Sequence, residues 1–228
     1  MKIKFGSLVT DGRGKIGGHV ASKNRGGAYL RTKVTPVNPQ TSYQLVARAR
    51  ITTFSQGWRS LTQEQRAAWD AAVGNWQKTD IFGDLKNPSG LNLYVRLNSN
   101  ISEGGGAAIV SPPLPNSVDP PDTVTLTGAA GTPALSLAWT GGSPAIGTVY
   151  VARITPQVSP GKSFVKNLYR NMQLIFSSDV TPLNILATYT ARFGTLVAGQ
   201  KIFVEVVAIR LNSGVKSTPV SGVAIIAA

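Results

Sequence analysis

Apolar residues recur at steps of three and four along the first half of the chain. Tyr43, Ala47, Ile51, Phe54 and Trp58 form one stripe, opened by Thr41 and Gln44 at capping-box spacing, and predict an amphipathic helix. Thr62 with Gln65 opens a second helix, in which Trp69, Ala72, Val73 and Trp76 share a face while Glu64, Arg66 and Asp70 are expected to face water. Asn87-Pro88-Ser89 starts a third, where Leu93, Leu97 and Ile101 align until Gly104-Gly105-Gly106 ends it. Tryptophans at helical spacing predict a packed core rather than base-stacking platforms.

Beyond residue 121 the period changes from helical to alternating. Strands are expected at 123–127, 134–140, 148–154, 172–177, 187–193, 201–211 and 220–226, and seven short strands separated by turn signals predict a β-sandwich. On the strand that starts at Lys201, Ile202, Val204, Val206 and Ala208 should face the core. Phe203, Val207 and Ile209 should face outward with Glu205. That outer stripe is either a contact surface, for a neighbouring protein or for the helical unit, or is buried beneath the long 156–171 segment.

Between the two patterns, residues 107–121 hold five prolines and read as a linker and domain boundary. Residues 1–40 are rich in glycine and too poor in large apolar residues for a core. Two extended runs flanking Asn24-Arg25-Gly26-Gly27 predict a β-hairpin there. The expected fold is therefore an α+β multidomain chain: a basic arm and hairpin (1–40), a helical domain (41–106), the linker, and an all-β sandwich (122–228).

Composition narrows the chemistry. The 228 residues include no cysteine and one histidine, His19, so disulfides, thiolate metal sites and most acid/base or nucleophilic constellations lack their parts. No catalytic, cofactor-binding or metal-binding residue is expected. Gly12-Arg13-Gly14-Lys15 does not meet phosphate-loop spacing, and Asp80 with Asp84 reads as a loop and cap pair rather than a catalytic dyad. The opening residues do not fit a signal peptide and no apolar run is long enough for a membrane span, so no membrane partner is expected.

Charge is segregated. Residues 1–59 carry Lys2, Lys4, Arg13, Lys15, Lys23, Arg25, Arg31, Lys33, Arg48, Arg50 and Arg59 against Asp11 alone, a balance of +10 within a total of +13. Such a quarter on a near-neutral body points to an acidic partner surface, either nucleic acid or a negatively charged protein lattice, with a solubilising tail as the plain alternative.

Two resemblances bear on this. Leu135-Ser136-Leu137-Ala138-Trp139, Val149-Tyr150-Val151, Leu196-x-x-Gly199 leading into Ile202-x-Val204-x-Val206-x-Ala208, and Ser213-Gly214 before Ser217-Thr218-Pro219 resemble a fibronectin type III domain over residues 118–228. Ile202 stands where that family usually has its corner tyrosine. Arg25-Gly26-Gly27-Ala28-Tyr29-Leu30-Arg31, Asn38-Pro39-Gln40-Thr41 with Gln44 and Arg48, and Trp58-Arg59-Ser60-Leu61-Thr62 with Gln65-Arg66 and Trp69 are similar to proteins of tailed bacteriophages and prophages.

The second resemblance implies a non-enzymatic virion structural protein, made in the host cytoplasm and located in the particle. It would be a capsid auxiliary, a decoration protein or a head-to-tail connector component within a large symmetric assembly. Its partners would be other virion proteins (capsid or connector subunits) and possible packaged DNA. The rival expectation is a nucleic-acid-binding protein whose arm, with Arg48, Arg50 and Arg59, contacts phosphates. A carbohydrate or cell-surface adhesin built on the sandwich is a third.

Overall fold

The computed structural model describes residues 12–24, 27–35, 37–79 and 85–228, which fall into two compact units, Met1–Leu45 and Val46–Ala228. Lys2, Lys4, Arg25, Asp80 and Asp84 lie outside the described residues. In the first unit, β1 (Gly14–Ile16), β2 (His19–Asn24) and β3 (Gly27–Thr32) form an antiparallel sheet in that order. The expected hairpin is β2–β3. It gains a third strand because Ile16 pairs with His19 across the two-residue Gly17-Gly18 turn, and β1 can then add its ladder to β2.

The predicted helices are present as α1 (Ser42–Ser60), α2 (Gln63–Ala72) and α3 (Gly90–Glu103). At the start of α2 the capping box is complete: Gln65 N–H donates to Thr62 Oγ1 at 3.2 Å, and Thr62 N–H donates to Gln65 Oε1 at 2.9 Å. A 3-10 turn, Val73–Trp76, extends α2. The two-residue strands β4 (Lys78–Thr79) and β5 (Leu85–Lys86) then pair before α3 begins. Asp70, expected on a solvated face, accepts from Gly90 N–H at 3.1 Å, while Ser89 Oγ accepts from Asn92 N–H. A carboxylate thus meets the positive end of α3.

Phe54, Leu61, Trp69, Leu93, Tyr94 and Leu97 form the helical core, with Trp58 and Trp76 packed against it. The Tyr94 ring lies 5.3 Å from Trp69, edge to face, and 5.6 Å from Trp58. The predicted stripe of α1 is used only from Phe54 onward. Tyr43 and Ile51 are 59% and 56% exposed, and Ala47 is also exposed.

In the second half, β6 (Val124–Ala129), β7 (Ala134–Trp139), β8 (Thr148–Ile154), β9 (Arg170–Ile175), β10 (Leu183–Asn184), β11 (Lys201–Arg210) and β12 (Val220–Ile225) build two antiparallel sheets, ordered β10-β7-β6 and β12-β11-β8-β9. One core joins them, and it includes Leu126, Leu137, Trp139, Ile154, Ile175, Ile202, Val204 and Ala208. The strand expected at 187–193 is instead helix α4 (Leu186–Phe193). Its Leu186, Tyr189 and Phe193 recur at helical steps. Tyr189 is fully buried, its ring is 5.1 Å from that of Phe193, and its hydroxyl donates to Thr155 O at 3.2 Å. The seventh strand is supplied by Leu183 and Asn184, which pair with Leu137 and Ser136.

The chain does not divide at 107–121. Ile109 is clamped by Asn98, whose Oδ1 accepts from Ile109 N–H at 2.7 Å and whose Nδ2 donates to Ile109 O at 3.2 Å. Trp69 Nε1 donates to Val110 O at 2.8 Å, and Val118 enters the sandwich core. The proline-rich segment is a strap bound to buried polar groups, and helices and sandwich form a single unit.

The outer stripe of β11 is covered rather than open to solvent. Val207 and Ile209 are buried and Phe203 is half-buried. The cover over Ile209 is the end of α3: a Cβ on Gly104 would stand 2.8 Å from Leu211 Cδ2 and 3.8 Å from Ile209 Cβ. Of the expected alternatives, it is the helical segment that lies on this part of the stripe. Val149 and Val151, paired with Ile209 and Val207 on β8, are also buried.

Glu103, the last residue of α3, locks this contact. It pairs with Arg153 at 3.1 Å and with Lys216, and accepts from Asn171 Nδ2 at 2.7 Å. Arg153 also bridges to Glu205 at 3.0 Å. Burial alone would raise the Glu103 pKa. Its hydrogen bonds from Lys216 and Asn171, with the charges of Lys216 and Arg153, outweigh that and hold it at about 2, below the ordinary 4.5. Asn100 Nδ2 donates to Gly214 O at 2.8 Å, and Gly214, at φ +69°, lies so close to α3 that a Cβ would stand 2.3 Å from Leu97 O. Among the described residues no helix is long and apolar enough to cross a membrane.

Two outcomes follow. Because the folded pKa of Glu103 is depressed, its contribution is complete above the unfolded value near 4.5 and fades as pH falls toward 2. Glu103→Gln should cost about 1–3 kcal/mol at pH 7 by urea unfolding, with the difference from wild type shrinking below pH 4.5. Gly214→Ala combines a positive φ with a backbone clash and should cost about 1–3 kcal/mol in the same assay. An unchanged midpoint would show that the turn can move away from α3.

Candidate interaction surface

The register of the first unit sorts its basic residues. Lys15 pairs with Val20 and Val20 with Arg31, so all three occupy one face of the sheet, and Lys33 lies two residues beyond Arg31. Lys15, Val20, Arg31 and Lys33, with Val34 and Thr35, line a hollow of about 490 Å³. Lys15, Arg31 and Lys33 are exposed and form no ion pair among the described residues. Three cations facing one concavity create a positive potential that small sheets without charge patterning lack.

The other predicted positions are not gathered there. Lys23 belongs to the opposite face by alternation, and Arg13 is exposed ahead of β1. Arg48, Arg50 and Arg59 are on α1. Arg48 and Arg59 are exposed, Arg59 in the last turn, where a cation favours the helix dipole. Arg50 is half-buried and lines a separate hollow of about 240 Å³ with Val46, Phe54 and Ser102. Two residues apart on a helix, Arg48 and Arg50 point to different sides.

Val207 and Ile209 are buried, whereas the exposed apolar side chains of the sandwich include two on β12. Val223 and Ile225 are 54% and 62% exposed, and Val223 pairs with the half-buried Phe203. The alternation Val223-Ala224-Ile225 carried that signal, since only Ala224 of the three faces the core.

Sequence reasoning also missed a cleft of about 450 Å³ where the Val73–Trp76 turn, α3 and the segment after β11 meet. Trp76, Lys78, Arg96, Asn100 and Lys216 are among its lining. The Arg96 guanidinium carbon lies 5.5 Å from the centroid of the Trp76 ring, and burial lowers the Arg96 pKa. These residues are far apart in the chain, so no local motif announces them. Among the described residues, no group of three or more His, Cys, Asp or Glu could hold a metal ion.

The sheet makes a direct prediction. The triple change Lys15→Ser, Arg31→Ser and Lys33→Ser should lower the salt concentration at which the protein leaves a heparin column much more than Lys23→Ser does. Equal effects per charge removed would mean that net charge matters and the shared face does not.

No protein-family model matches the chain, and no curated protein sequence matches it. Among solved structures, a protein described as Fn3-like from Clostridium thermocellum aligns with 50% of this chain and 97% of its own, at 13% identity and a TM-score of 0.31.

Proposed function

We propose that this chain is a non-enzymatic structural protein of a tailed-phage particle, a capsid auxiliary, decoration or connector component, which grips an acidic surface of neighbouring virion subunits through its basic N-terminal sheet. The observation that carries the reading is the placement of Lys15, Arg31 and Lys33 around one hollow in a unit separate from the body. The sequence resemblance of residues 12–76 to phage and prophage proteins supports the setting. In this reading the sandwich is a fibronectin type III-like module. Its division into three and four antiparallel strands, with Trp139 and Ile202 in the shared core, supports that assignment.

The rival, phosphate contacts to nucleic acid by the same face and by Arg48, Arg50 and Arg59, draws on the same charge. Deleting residues 1–33 should abolish incorporation into particles while leaving the body folded. Retention of the intact chain on DNA-free shells, with negligible affinity for duplex DNA, supports assembly. DNA binding that weakens steeply with salt, lost together with Lys15, Arg31 and Lys33, favours the rival. Normal occupancy of particles by the truncated chain would refute the anchoring role.

A further inference from the structure

The cleft beside Trp76 has the chemistry of a binding site, independent of what the N-terminal sheet does. We propose that it binds an oxyanion, the phosphate or carboxylate of a small ligand or a chain end, seated on the Arg96 guanidinium. Its volume of about 450 Å³ falls in the range of small-molecule sites. Three cations line it, Lys78, Arg96 and Lys216, and among the described residues no carboxylate does. Lys216 is committed to Glu103, whereas Lys78 and Arg96 form no ion pair among the described residues.

Arg96 is the distinctive member. It is half-buried, and burial of a cation without a counter-charge is unfavourable, as the downward direction of its pKa reflects. Its guanidinium contacts the Trp76 ring, yet that contact satisfies none of its N–H donors. A forked donor set with no acceptor among the described residues, at the wall of an open cleft, suits the two oxygens of a phosphate or carboxylate. Lys78 adds a second positive charge. Asn100 turns its Nδ2 to Gly214 O, leaving its Oδ1 as an acceptor for a polar group on the ligand. The same junction that fixes α3 on the sheet therefore shapes the cleft.

The test uses the full chain, labelled with nitrogen-15, at constant ionic strength and pH 7. Trp76 Nε1 is buried and without an acceptor, so its indole resonance reports on this wall. Inorganic phosphate and N-acetylglycine are titrated separately. A saturable shift of the Trp76 resonance with either supports the site, and the probe that saturates at lower concentration identifies the source of the oxyanion. Arg96→Gln should weaken that binding by about tenfold or more. Lys78→Gln, at an exposed position, should weaken it by about threefold and serves as the test if Arg96→Gln does not fold. Lys162→Gln, an exposed cation on the 156–171 segment, should leave it unchanged. No saturation with either probe up to tens of millimolar, or equal affinity in wild type, Arg96→Gln and Lys78→Gln, would overturn the proposal.

Discussion

The structure of the body depends on one carboxylate. Glu103 ends α3, where the helix dipole disfavours a negative charge, and burial adds to that penalty. It stays ionised because Arg153 from β8, Lys216 from the segment after β11 and the Asn171 amide from β9 converge on it. Those three groups come from two strands of the sheet and from the segment that follows a third. A helix end held by all of them cannot slide along the sheet without leaving a buried charge uncompensated, a far larger loss than any surface ion pair represents.

With that anchor in place, the neighbouring apolar surfaces find their cover. Val149, Val151, Val207 and Ile209 are buried on the outer face of the four-stranded sheet, so its central strands are covered on both sides. The burial of nearly every residue in Thr148–Ile154 expresses this. The strap at 107–121 follows from the same arrangement. Once α3 is docked, the chain must cross from the helices to β6 within a short distance, and Asn98 and Trp69 supply the hydrogen bonds that its backbone would otherwise take from water.

The two units divide the physical tasks. Val46–Ala228 holds both hydrophobic cores and all the acidic residues but Asp11, while the first unit carries a dense positive charge with few large side chains to bury. A three-stranded sheet of this size draws its order from backbone ladders more than from burial. Alternation nevertheless gives it two chemically different faces. That asymmetry makes the proposed grip on an acidic surface directional.

Local physics was legible in the sequence wherever a signal is complete within a few residues. Thr62 and Gln65 specified the start of α2, the extended runs on either side of residues 25–26 the β2–β3 pairing, and the alternation from Ile202 to Ala208 the core face of β11, because caps, hairpins and pleats involve near neighbours only. Residues 187–193 defeated the same approach: an apolar run so short fits either period, and burial of Tyr189 against Thr155 decided for helix. What covers Ile209, why Glu103 is charged, and where Arg96 meets Trp76 belong to tertiary structure alone. Glu103 lies 50 residues from Arg153 and 113 from Lys216, and no local pattern encodes which distant groups the closing of the sheets will bring within hydrogen-bond reach.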